Sequence, residues 1–98
     1  MMDRTLMFED FSDKLESEFV ISEDGVPPIA FRLIEAELLP AHNGPRGMRP
    51  PFSLVFATPQ MLPQRAYQVT HDRLGTITLF LVPIGRDEHG FQHQAVFN

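Results

Sequence analysis

Between residues 64 and 85 the chain reads QRAYQVTHDRLGTITLFLVPIG, and apolar and polar positions alternate through much of it. Ile77, Leu79 and Leu81 fall on one parity and Thr76 and Thr78 on the other, the period-2 signature of a strand with one buried face. From Phe80 to Val82 both parities turn apolar, which predicts either burial on both sides or an outer side that meets a partner. Gly75 after Leu74 supplies a turn back to the preceding strand, in which Tyr67, Val69 and His71 share a face. Pro83 has no ladder donor and predicts the point where this strand stops being paired.

The same periodicity organises the rest. Phe8, Phe11 and Leu15 recur at i, i+3 and i+7, which predicts a short amphipathic helix over residues 6–15, capped by Asp3 or Thr5, whose Phe face docks on one end of a sheet or barrel. Residues 17–22 read as a strand, and Glu23-Asp24-Gly25 as the turn of a hairpin. In the next run Ile29, Phe31 and Leu33 share one parity while Ile34, Ala36 and Leu38 share the other. The slip predicts a β-bulge between Leu33 and Ile34, which bends a long strand as a small barrel requires. Glu35 to Leu38 would also suit a helix, but the aromatic and β-branched first half favours a strand.

Phe52, Leu54 and Phe56 give a further strand its core face, and Met61-Leu62-Pro63 reads as a turn tucking two apolar side chains against a barrel end. Residues 85–90 (GRDEHG) read as a polar connection. The last strand has Phe91, His93, Ala95 and Phe97 on one parity and runs to the end, so removing residues 96–98 should destabilise the domain. The sum is one all-β domain over residues 1–98, an antiparallel barrel or curled sandwich of about six strands with one short amino-terminal helix.

Composition narrows the function classes. The formal net charge is -5, the acidic residues concentrate between Glu9 and Glu37, and the arginines are scattered over later loops, which argues against nucleic acid as a ligand. Cysteine is absent, so disulfides and thiolate chemistry are excluded. No apolar run is long enough for a membrane helix and the amino terminus lacks a leader pattern, so the expectation is a cytoplasmic protein, with later incorporation in a released or surface particle compatible with that.

Little catalytic chemistry is legible. His89 and His93 have a His-x3-His spacing and, with His71, suggest zinc, but Gly90 and the β-pattern around it argue against a helix that would bring them together, so no metal or cofactor is expected. His71-Asp72 reads as a strand end with its turn acid rather than part of a triad, and Ser53 lies inside a strand with no nucleophile elbow. Glu9, Asp10, Glu35 and Glu37 each fall where a solvated face is expected, and no Gly-rich phosphate loop is present. Residues 40–51 (PAHNGPRGMRPP) are a loop whose Arg46, Met48 and Arg49 combine guanidinium and flexible apolar groups suited to a protein contact.

At residues 52–56 (FSLVF), 64–75 (QRAYQVTHDRLG), 80–85 (FLVPIG) and 95–98 (AVFN) the chain resembles a family of short bacterial domains of unknown function. The resemblance implies an association with proteins similar to phage tail collar and tail fibre proteins, and supplies no catalytic residues. The resulting expectation is a non-enzymatic structural or protein-interaction module of a tail-like assembly, binding through free sheet edges and the loop of Arg46, Met48 and Arg49, with homo-oligomers as one way to satisfy the edges. The alternative is a small-ligand barrel with a cavity between Tyr67, His71 and the Phe-rich faces.

Overall fold

A computed structural model describes residues 6–40 and 50–98. The loop residues Arg46, Met48 and Arg49 lie outside the described residues. Six strands, β1 (Glu18–Ile21), β2 (Ile29–Leu38), β3 (Phe52–Thr58), β4 (Arg65–His71), β5 (Gly75–Asp87) and β6 (Gly90–Phe97), form a closed antiparallel barrel in the order β1-β2-β3-β6-β5-β4. β1 closes the ring on β4 through Val20–Thr70 and Ile21–Val69. Closure removes the free sheet edges expected from the sequence, except where a strand outruns its neighbour. Past Leu81, where β4 ends, β5 continues against β6 alone.

The strands alternate up and down, so each barrel end collects the termini of all six. One end receives the amino-terminal segment. The expected ten-residue helix is a single turn, α1 (Glu9–Ser12), because Asp13 already leaves helical geometry and the chain must turn into β1. Its Phe face docks as expected, Phe8 packing on the core and Phe11 fully buried with its ring 5.9 Å from that of Phe52 and 5.8 Å from that of Phe97, but Leu15, expected on the same face, lies past the helical turn and is half exposed. The other end is crossed by residues 59–64, which carry β3 over to β4, and Leu62 is buried there.

Between the plugs the interior is packed with side chains. Phe19, Phe56, Leu54, Val69, Leu79 and Leu81 have no exposed surface. Phe19 joins several layers, 5.3 Å from Phe56 and 6.0 Å from Phe31 between ring centroids. The parity slip in β2 is a bulge, the register shifting between Leu33 and Glu35, so that Ile34 is the extra residue. A second bulge, which the sequence pattern did not show, lies between Pro83 and Gly85. Pro83 therefore ends pairing with β4 only. The run 85–90 is likewise mostly strand, with β5 reaching Asp87 and β6 starting at Gly90.

Glu23, in the turn before β2, accepts both Arg65 guanidinium nitrogens at 2.8 and 3.2 Å and the Gln68 N–H at 2.9 Å. Its carboxyl is held below the usual range by the Arg65 side chain first and the Gln68 N–H second. This fork ties the hairpin tip to β4 at the narrow β1 seam.

Candidate interaction surface

The outer faces of β5 and β6 carry an uncharged exposed area, next to a β3 that is buried along its whole length. Ser53, Val55 and Ala57 of β3 point the same way but are buried, and across from them on β6 are Val96, Gln94 and Gln92, of which Val96 is the exposed one. Val82 of β5 pairs with Gln94, and Phe80 precedes Val82 by two residues on the same side of the strand. Phe80 is 51% exposed and Val96 49%, and Ile84, the extra residue of the β5 bulge, also stands in solvent. Although 21% of the chain is charged, no Asp, Glu, Lys or Arg occupies these positions; Glu35 and Glu37 border the area from β2. The two-sided apolar run expected at Phe80 to Val82 is thus real, and its outer side is uncovered by any described part of the chain. Charge depletion around an exposed aromatic is the composition of an interface core.

A second feature lies where the segment after α1 meets the end of β4. A groove of about 430 Å³ is lined by Lys14, Ser17, Glu18, Thr70, His71, Arg73 and neighbours. In its wall His71 Nε2 is 2.9 Å from Ser17 Oγ, and His71 Nδ1 accepts the Arg73 N–H at 3.0 Å. A nitrogen that accepts a backbone N–H carries no proton, so the proton is on Nε2 and is donated to Ser17. Ser17 in turn donates to the Lys14 carbonyl. The pair is therefore wired opposite to a nucleophile and its base. Burial lowers the His71 pKa, with Lys14 adding to the effect. The sequence pattern sets His71 beside Asp72 at a strand end, and Asp72 is indeed exposed, while Ser17 was missed because it sits 54 residues away with no local motif.

Tyr67 and His71 share the inner face of β4 but are not brought to a common cavity. His71 stands at the α1 end and Tyr67 towards the other, where its hydroxyl donates to the Pro63 carbonyl, and buried Val69 fills the place between them. The three histidines weighed as metal ligands are also separate. His89 projects from the β5–β6 turn, whereas His93 is fully buried in β6. Its Nε2 accepts the Leu62 N–H at 3.0 Å and its Nδ1 lies 3.0 Å from Thr58 Oγ1, so both ring nitrogens are committed. Burial lowers the His93 pKa.

A family model described as a domain of unknown function, DUF6916, matches residues 6–97. The chain belongs to this family. The DUF6916 match spans α1 and all six strands, so the family unit is the barrel together with its amino-terminal plug. No curated protein and no solved structure matches the chain.

Proposed function

We propose that this DUF6916 domain is a non-enzymatic protein-interaction module, a small structural accessory of a phage-tail-like assembly, and that it binds its partner through the uncharged outer face of β5 and β6. The observation that carries this reading is the exposure of Phe80 and Val96, each about half in solvent, on uncharged outer positions of β5 and β6, outside a barrel whose interior is already filled. Apolar groups held in water by a rigid sheet lose little entropy on docking, so their burial is available to binding. The tail-like context rests on the family resemblance. A partner of this kind would offer a flat, uncharged patch and leave Glu35 and Glu37 at the solvated rim.

The test is to express the full chain in its host with Phe80→Asp or Val96→Asp and recover complexes after cross-linking. The reading expects one structural partner in fixed ratio with the native chain and its loss from both variants at unchanged thermal stability. Retention of that partner by both variants would overturn it. A small-ligand reading, if taken up, attaches to the groove beside His71, whose volume is in the range of ligand clefts, rather than to the barrel interior.

A further inference from the structure

We propose that residues 59–64 form an acid-released cap on their end of the barrel, with His93 as its latch. The segment crosses the barrel mouth between β3 and β4 and buries Leu62, yet among the described residues none of its main-chain groups is bonded to another main-chain group. Pro59 and Pro63 remove two of its donors. Side chains hold it instead: Thr58 Oγ1 donates to the Gln60 carbonyl at 2.8 Å, the Tyr67 hydroxyl donates to the Pro63 carbonyl, and the Leu62 N–H donates to His93 Nε2 at 3.0 Å.

The His93 contact is the one that a proton destroys. In the closed cap Nε2 is a lone pair facing the Leu62 N–H, and Nδ1 carries the hydrogen that faces Thr58. Protonation puts a second N–H on the ring, so donor meets donor and an imidazolium is left inside the barrel. No charged side chain is bonded to the ring. Phe56 and Pro83 flank His93 in the ladders and Thr58 and Leu62 bond to it, all uncharged. The titratable groups on the surrounding elements are Tyr67 and Arg65 of β4, Arg86 and Asp87 of β5, and Glu88 and His89 of the turn, and the hydrogen bonds of the ring go to Thr58 and Leu62 instead. His71 differs, since Lys14, Arg73, Asp72 and Asp13 all act on it at the far end. Opening the cap frees the ring to take its proton in water and exposes Leu62 next to Met61, which is already in solvent.

The measurement is amide hydrogen exchange of the full chain by NMR between pH 7.5 and 5, corrected for intrinsic rates. It is read at Leu62 and, as a reference, at core amides such as Leu54 and Leu79. The proposal expects Leu62 to be less protected than the core throughout, and its protection to fall by about tenfold per pH unit below about pH 6.5, the slope of one proton. In His93→Gln, whose amide oxygen keeps an acceptor but does not titrate, that slope should vanish. If this variant does not fold, His71→Gln and His89→Gln supply the readout, since the slope at Leu62 must survive the removal of either of these histidines. Leu62 exchanging together with the core at every pH would overturn the proposal, as would a pH-independent Leu62 or a slope that disappears in His71→Gln or His89→Gln.

Discussion

His71 donates to Ser17 across 2.9 Å, and the direction of that bond decides what the pair is. The Arg73 N–H occupies Nδ1, so the imidazole has no lone pair left for the serine. Ser17 passes the chain of hydrogen bonds to the Lys14 carbonyl and so fastens the segment after α1 to the end of β4. The contact is a structural clasp at the one place where the short β1 leaves the barrel wall thin.

Ser17→Ala should therefore act on stability. It leaves the His71 Nε2–H without its acceptor in a buried site, at a cost of about 1–3 kcal/mol. Each kcal/mol lowers the melting temperature of a domain this size by roughly 4–8 °C, which thermal denaturation would register. A fluorophosphonate probe should leave Ser17 unlabelled in the native chain; labelling there would contradict the assigned proton position.

Inward and outward phenylalanines should respond oppositely. Phe56→Ala opens a cavity beneath Phe19 and Phe31 and should cost about 3–5 kcal/mol in urea titration. Phe80→Ser removes a ring that touches mainly solvent and should stay within about 0.5 kcal/mol of the native chain. A large loss from Phe80→Ser would mean that the outer face is packed in the isolated protein.

Phe97 offers a check on the last strand. Its ring stacks on Phe52 with centroids 4.6 Å apart and planes 8° from parallel, and also reaches Phe11 of α1. Deleting residues 96–98 should both weaken the barrel and loosen α1, seen as a lower melting temperature with earlier proteolysis near Phe11. An unchanged melting temperature would speak against it.

Gly90 should tolerate no side chain. Its φ is +124°, and a Cβ there would stand 2.6 Å from the Thr58 carbonyl oxygen, which is backbone and cannot swing aside. Gly90→Ala should cost about 1–3 kcal/mol. Chemical denaturation checks it, and a neutral result would show that the β5–β6 turn can shift as a unit.

Stability should fall in mild acid. His71 and His93 both have pKa values lowered by burial, so below the unfolded value, near 6.5, the unfolded chain binds protons that the folded chain refuses. The loss begins as pH drops through about 6.5 and grows by up to about 1.4 kcal/mol per pH unit for each histidine, until the folded pKa is reached. The Glu23 carboxyl, lowered by Arg65, adds its loss at more acidic pH. Urea titrations at pH 7.5, 6 and 5 would show the decline, and a flat profile would mean that neither histidine is held neutral by the fold.

Alternation in the sequence determined most of the architecture, because a strand with one wet face must repeat every second residue. That rule placed the strands, the inward Phe52, Leu54 and Phe56, and even the bulge at Ile34, where a parity slip has no other cheap solution. It also marked Phe80 as an apolar residue on the wrong side. Closure, strand order and the two histidine clasps were decided only by the tertiary structure. The β1–β4 seam, the crossing of residues 59–64 and the contacts of Ser17 with His71 and Leu62 with His93 join residues far apart in the chain, and local periodicity carries no information about which distant groups meet. The helix was overestimated for the same reason. Its Phe spacing reports a buried face, but the length of the element was set by the room left between the barrel mouth and the start of β1.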